Sequence, residues 1–309
     1  MALRDPPEDR SPADLLSFGV VNLDKPPGPS AHQVAGWVRD AVADALDDAG
    51  VAKHGVDRAA HAGTLDPKVT GCLPTLLGDG ARVAQVFDDS AKEYVAVLEL
   101  HGPAPADFEA VLAEFEGEIY QKPPRKSAVV RRLRTRTIHD LDVLEREDRR
   151  ALLRVRCEAG TYIRKLCHDV GRALGTGAHM GDLRRTATGT FDDDALVTME
   201  DLVDALAFWV EDGDEGPLRE VVDPAERALA HLPRVVTAES AAREVAEGAP
   251  VYAPGVLETR PAAVGDEQPA RGTLVVCVTP GGSAVCLGTL VGDANADTGT
   301  VVDLERVLV

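Results

Sequence analysis

The segment from His61 to Pro67, HAGTLDP, sets one carboxylate, Asp66, directly before a proline and between two glycines, Gly63 and Gly71. Proline disfavours the α region for the residue before it, and glycine lets backbone turn left-handed or approach closely. The result is a carboxylate presented from a shaped loop, where it is available to react. On residue types alone the plainer reading is a surface turn, since Asp-Pro is common in turns. A carboxylate-based glycoside hydrolase would need a second acid about 5 to 10 Å away, and no motif supplies one.

A second feature is the run from Lys122 to Arg136, KPPRKSAVVRRLRTR, with seven basic and no acidic residues in an otherwise acidic chain. Phosphate contact explains this local reversal of sign economically, and with Arg172, Arg184 and Arg185 the run could line a nucleic-acid groove. The alternative is a basic strand edge that balances nearby acids.

Such residues need elements to hold them. Ser30 and Gln33 make a capping box, and Val34, Trp37, Val38, Val42 and Leu46 keep helical spacing up to Gly50, which predicts a helix over roughly 31–49. Asp107 precedes Phe108, Val111, Leu112 and Phe115, the pattern of a second amphipathic helix. Leu153, Val155 and Cys157 alternate with Arg154, Arg156 and Glu158 as in a half-buried strand, and Tyr94 to Leu100 reads the same way. After Glu158-Ala159-Gly160, Thr161 is expected to cap a helix with the apolar stripe Ile163, Leu166, Cys167, Val170 and Leu174. Tyr162 and Arg164 would then lie in its first turn. Residues 192–218 hold ten Asp or Glu and no Lys or Arg, which reads as a solvated helix and surface loop. After His231-Leu232-Pro233 the texture changes to one short helix and several Val-rich strands, placing a domain boundary near 232.

A chain of 309 residues suits one large and one small domain. With 4% aromatics, its cores must be built from Ala, Val and Leu. The balance of 33 Lys+Arg against 52 Asp+Glu, net −19, ordinarily argues against a nucleic-acid partner. Only seven of those basic residues are lysines, however, and acid-rich, lysine-poor surfaces keep proteins solvated in concentrated salt; the charge therefore reads as salt adaptation. The N-terminus shows no basic segment followed by an apolar one, so a cytoplasmic location is expected. The uncharged stretch Gly272 to Gly292 has the length of a membrane span, but Pro280-Gly281-Gly282 divides it into two runs that read as a β-hairpin. The five cysteines, at 72, 157, 167, 277 and 286, lack a C-x-x-C pair and fit reduced, buried thiols. Cys167-His168 alone is too little for zinc, and without a P-loop or G-x-G-x-x-G no metal or nucleotide cofactor is expected.

Six ordered blocks resemble the TruB/dyskerin family of RNA pseudouridine synthases: DKPPGPS from Asp24, HAGTLDPKVTGCLP from His61, Lys92-Glu93-Tyr94, RKSAVVRRLRTRTIHDLDVLE from Arg125, GTYIRKLCHDVG from Gly160 and GAHMGDLRRT from Gly177. The resemblance implies that Asp66 is the catalytic aspartate, Tyr94 the ring stacked on the target base and Arg164 the partner of the aspartate. It sets His61 near the flipped nucleotide or its phosphate. Lys25 and Pro26 resemble a first motif that braces the catalytic loop, where a purely structural role is equally open. The expected substrate-binding residues are thus His61, Tyr162, Lys25, Arg131, Arg132, Arg134, Arg184 and Arg185.

Each role makes chemical sense. A carboxylate attacks sugar C1′ or base C6 only when ionised, and an adjacent guanidinium favours that form and fixes its orientation. Breaking the C1′–N1 bond, rotating the uracil and joining C1′ to C5 cannot occur while the base is stacked in a helix, so base flipping is implied. Tyr94 offers a face for the extruded base, and the Tyr162 hydroxyl could order the pocket.

From Leu232, LPRVVTAESAAREVAEGAPVYAPGV and then RGTLVVCV resemble a PUA RNA-binding domain. Ala187 departs from the family, in which LRRT is usually followed by a basic residue, and puts one RNA contact in doubt. The form RKSAVVRRLRTRT resembles that of the archaeal and eukaryotic members rather than the bacterial Tyr-Ser-Ala-Leu-Lys form, and the archaeal branch is expected. It implies the catalytic subunit of an H/ACA guide ribonucleoprotein acting on rRNA, with guide RNA and accessory proteins as partners, or guide-independent action on uridine 55 of tRNA. The expected fold is α+β: a pseudouridine synthase domain over 1–231, with a mixed, mostly antiparallel sheet, flanking helices and an N-terminal extension beside the barrel, then a PUA β-barrel over 232–309. A non-catalytic RNA-binding scaffold of the same fold is the rival reading, against which the intact Asp66, Tyr94 and Arg164 argue.

Overall fold

The computed structural model describes residues 3–51, 56–123, 130–262 and 269–309. Among these, ten strands form one sheet: β1 (Gly19–Lys25), β2 (Ala59–His61), β3 (Thr70–Leu77), β4 (Lys92–Leu100), β5 (Gly117–Gln121), β6 (Arg134–Arg146), β7 (Arg150–Cys157), β8 (Ala178–Thr188), β9 (Phe191–Asp192) and β10 (Asp223–Pro224). Their order is β10-β1-β3-β8-β4-β7-β6-β5, with β2 beside β3 and β9 beside β8. All neighbours are antiparallel except β3 and β8, which run parallel where Thr70 faces Arg184 and Gly71 faces Arg185. The sheet is therefore mixed and mostly antiparallel, as expected.

The alternation read in β7 is real: Ala151, Leu153, Val155 and Cys157 are buried, while Arg150, Arg154 and Arg156 face solvent. The capping box of Ser30 and Gln33 opens the helix Ala31–Asp48, with both reciprocal bonds formed. Its Val34, Val38, Val42 and Leu46 pack in one core with Leu23 and Leu73 of the sheet and with Leu65 and Val69. Those last two residues flank Asp66. Burying side chains of this size contributes about 1.5 to 3 kcal/mol each, so the loop that presents the carboxylate is anchored from both sides.

Two local expectations are corrected. The helix after Asp107 is only Phe108–Ala113, because the chain must turn through Gly117, at φ +89°, to enter β5; Phe115 still packs on the core. Thr161 does not cap the next helix, Ile163–Ala173. Its hydroxyl donates to the Glu158 carbonyl at 2.7 Å, and Tyr162 occupies the capping position, one step ahead of the first turn that holds Arg164.

The C-terminal sheet contains β11 (Arg234–Thr237), β12 (Val251–Tyr252), β13 (Val256–Arg260), β14 (Leu274–Val278), β15 (Ala284–Leu290) and β16 (Thr300–Val307), in the order β12-β16-β15-β14-β11-β13. The uncharged stretch near the C-terminus is the β14–β15 hairpin, with Cys277 opposite Cys286. All five cysteines are free and buried. The N-terminal extension packs on this sheet: the Ser283 hydroxyl donates to the Asp5 carbonyl at 2.9 Å. Arg10, fully buried, donates twice to Glu226, which also accepts the Ala284 amide at 3.0 Å.

Candidate active site

Asp66 sits in the loop between β2 and β3, and its backbone is tied down from beneath. The Asp66 carbonyl accepts the Val69 amide at 2.9 Å, and the Pro67 carbonyl accepts the Gly28 amide at 2.8 Å. Lys25, at the end of β1, is 0% exposed and donates its ammonium to the carbonyls of Pro26 (2.8 Å), Pro67 (3.0 Å) and Val69 (2.8 Å). Three acceptors for three donors leave nothing for a substrate. Of the two roles open to Lys25, these bonds favour the brace over an RNA contact.

Arg185 is the second buried cation, at 1% exposure. Its Nε donates to the Cys72 carbonyl at 2.8 Å, and both terminal nitrogens reach the Gly63 carbonyl at 3.3 and 3.2 Å. It too holds the loop rather than facing outward. The two glycines expected to permit close approach do so: Gly63 and Gly71 lie at φ +98° and +94°. A Cβ on Gly71 would stand 2.3 Å from the Arg185 carbonyl, which the parallel β3–β8 contact could not accommodate.

Arg164 projects from the first turn of the helix Ile163–Ala173, donates its Nη2 to Asp66 Oδ2 and forms an ion pair with it. Their side chains are 54% and 56% exposed, so the carboxylate is oriented yet open to a ligand. Tyr94, on β4, is paired with Arg185 of β8 and Val155 of β7 and packs between two cores. Burial pushes its phenol above the usual value, and the adjacent Arg185 guanidinium opposes that push. Tyr94, Arg185 and the loop that carries Asp66 are thus one packed unit.

His61 closes β2 opposite Thr75 and is half-buried. Burial lowers its pKa, with Arg185 and His32 adding to the effect, which favours a neutral ring at neutral pH. Its Nδ1 is buried and has no partner among the described residues. Arg184 is part-exposed and grips Asp24 with two bonds, at 3.0 and 3.2 Å. Of the basic run, Arg131 and Arg132 are exposed and Arg134 opens β6; Arg131 Nε donates to the Pro123 carbonyl at 2.9 Å. Residues 124–129 of that run, with Arg125 and Lys126, lie outside the described residues.

Two residues stand outside the expected site set, although Lys92 belongs to the Lys92-Glu93-Tyr94 block. Lys92 is buried under the site and donates to the Phe87 and Ser90 carbonyls; burial, reinforced by Arg185, lowers its pKa to about 8. Gln121, 2% exposed, bonds to the backbone of Tyr162. Nothing in the sequence marked Gln121, which lies between Tyr120 and Lys122 in a strand that also carries Glu118. Among the described residues, no three His, Cys, Asp or Glu side chains gather as a metal site, and no helix is long and apolar enough to cross a membrane.

An accessible carboxylate held by a guanidinium, on a loop whose Leu65 and Val69 share a core with the half-buried Tyr94 ring, suits nucleophilic addition to a base or sugar removed from a stack. The comparisons agree. The family model described as TruB family pseudouridylate synthase (N terminal domain) matches residues 52–107 and 102–163, and the tRNA pseudouridylate synthase B C-terminal domain matches 164–230. A DKCLD domain matches 5–35 and a PUA domain 233–308. A probable tRNA pseudouridine synthase B of Haloarcula marismortui is 70% identical over 309 residues, covering 100% of this chain and 94% of the relative. One from Methanopyrus kandleri is 45% identical, covering 98% and 86%. Among solved structures, a Cbf5-Nop10-Gar1 complex matches with a TM-score of 0.86 and 44% identity, over 99% of this chain and 90% of that one. An H/ACA RNP bound to a substrate RNA containing 2′-deoxyuridine matches at 0.85 and 42%, over 99% and 90%. With the Asp66 loop and Arg164 falling inside the matched synthase domains, the chain belongs to the TruB/dyskerin family of RNA pseudouridine synthases, with a DKCLD segment and a PUA domain.

Proposed function

We propose that this chain converts uridine to pseudouridine in tRNA at position 55, and in rRNA as the catalytic subunit of an H/ACA guide ribonucleoprotein in the cytoplasm. Asp66 is the nucleophile, Arg164 orients it and Tyr94 stacks on the flipped base. His61 and Tyr162 border the nucleotide. Arg131, Arg132 and Arg134 contact phosphates, and Arg184 does so at the edge of the first motif. Residues 1–231 carry the chemistry and 232–309 the PUA contact with RNA, a division supported by the PUA match over 233–308. The guide-directed role is supported by likeness to chains solved in a Cbf5-Nop10-Gar1 complex and in an H/ACA RNP. Proteins of the kinds named there, with a guide RNA, are the proposed partners.

The observation that carries the reading is the Asp66–Arg164 ion pair, formed between two sequence blocks 98 residues apart. Its test is pseudouridine mapping with the full chain in molar KCl, on tRNA and on rRNA fragments, with and without guide RNA and accessory proteins. Modification of tRNA by the chain alone, and of rRNA only with the guide set, is expected. RNA binding without product in every arm would favour the scaffold reading.

A further inference from the structure

Gln121 ends β5, the outermost strand of the catalytic sheet, and its side chain is buried. A buried amide needs partners for both its carbonyl and its NH2. Gln121 finds both on one residue: its Oε1 accepts the Tyr162 amide at 2.9 Å, and its Nε2 donates to the Tyr162 carbonyl at 3.2 Å. This two-bond ring joins the edge strand to the residue that opens the helix Ile163–Ala173, where no side chain caps the first turn. Two residues further on, Arg164 leaves that turn to meet Asp66.

The turn before Tyr162 is fixed from the other side. Glu158 accepts Arg136 Nη1 at 3.0 Å and the Thr137 amide at 3.1 Å. The helix start is therefore held between β5 and β6, and Gln121 supplies the β5 half of that grip.

We infer that Gln121 is a positioning residue for the reaction: by fixing the first turn of this helix it holds the Arg164 guanidinium on Asp66. The inference rests on the roles proposed for Asp66 and Arg164. Gln121 directly precedes the basic run, whose Arg131 is tied to the Pro123 carbonyl. The strand that leads into the RNA-contacting run and the helix that carries Arg164 thus share one buried joint.

The test pairs single-turnover rates with filter-binding affinities for tRNA, using the full chain. Misplacement of about 1 Å costs on the order of 100-fold in rate, so Gln121→Ala is expected to lose about that much, with affinity within about twofold of the parent. Added to Arg164→Lys, it is expected to cost little more, because both changes act through one pair. Gln121→Glu is nearly isosteric and keeps the test usable if the alanine variant does not fold. Protonated, the new carboxyl can donate to the Tyr162 carbonyl; ionised, it cannot. Its rate relative to the parent at the same pH is expected to rise as pH falls. An unchanged rate for Gln121→Ala, parallel losses of rate and affinity, or full multiplication of the two losses would overturn the inference. A parent inactive on every RNA would instead overturn the proposed function on which it rests.

Discussion

Arg164 and Asp66 are 98 residues apart in the chain, yet they form a direct ion pair in which both side chains stay about half exposed. Exposed pairs of this kind contribute only about 0 to 1 kcal/mol to stability. The pair's value is in orientation: one nitrogen of a rigid, planar guanidinium holds one carboxylate oxygen and leaves the group accessible. Arg164→Lys is therefore expected to shift stability by less than about 1 kcal/mol, while lowering turnover far more than RNA affinity. Equal losses of turnover and affinity would make Arg164 a phosphate contact instead.

Lys25 has the opposite character, since its whole contribution is internal. Lys25→Met removes the donor shared by the Pro26, Pro67 and Val69 carbonyls, of which Pro67 keeps the Gly28 amide, while relieving the cost of burying an ammonium. An unmet buried carbonyl costs about 1 to 3 kcal/mol, so the loss at Pro26 and Val69, offset in part by the relieved burial of the ammonium, is expected to leave a net destabilisation of roughly 1 to 3 kcal/mol in urea unfolding. Turnover should fall further than affinity, as the loop beneath Asp66 loosens. A change below about 0.5 kcal/mol, the level of an ordinary surface substitution, would show that the ammonium does not brace the loop.

The buried thiols set an alkaline limit. Burial pushes Cys72, Cys157 and Cys167 up from 9.0 to about 12. A group whose folded pKa lies above its unfolded value contributes stability that is fully present below the unfolded pKa and is lost as pH rises toward the folded one. Denaturation midpoints are expected to fall between pH 9 and 12, and to fall less steeply in Cys167→Ala. Identical slopes for parent and variant would contradict the assignment.

Much of this architecture was legible because one-sided burial imposes a period. β4, β7 and the helix Ala31–Asp48 follow directly from their patterns, whereas the β14–β15 hairpin, buried on both faces, was legible from the Pro280-Gly281-Gly282 break between two apolar runs. The Asp66 loop was legible through its proline and glycines. The destination of Arg185 was not, because cations ordinarily face water, and for Lys25 only the family motif offered the brace. The carbonyls that accept them converge only when β1, β3 and β8 are neighbours. The start of the helix before Arg164 was misread for a similar reason: a local capping rule favoured Thr161, whereas the backbone partner is Gln121, 41 residues upstream.

Salt should act on this chain in an unusual direction. Net charge −19 opposes a polyanionic substrate at low ionic strength, where the Debye length is about 30 Å at 0.01 M. At 1 M it is about 3 Å, and only close contacts such as those proposed for Arg131 and Arg132 remain in force. Activity is expected to rise from low to molar KCl, against the usual weakening of nucleic-acid binding by salt. A steady decline over that range, with circular dichroism unchanged, would show that the acidic surface is not an adaptation to salt.

The role of Asp66 rests on one comparison. Asp66→Asn preserves shape and removes the proposed nucleophile. In molar KCl, with purified full-length protein and tRNA, pseudouridine formation by this variant is expected to be undetectable, with affinity and melting temperature close to those of the parent. Pseudouridine formation at the parent rate would contradict the assignment of Asp66 as the nucleophile.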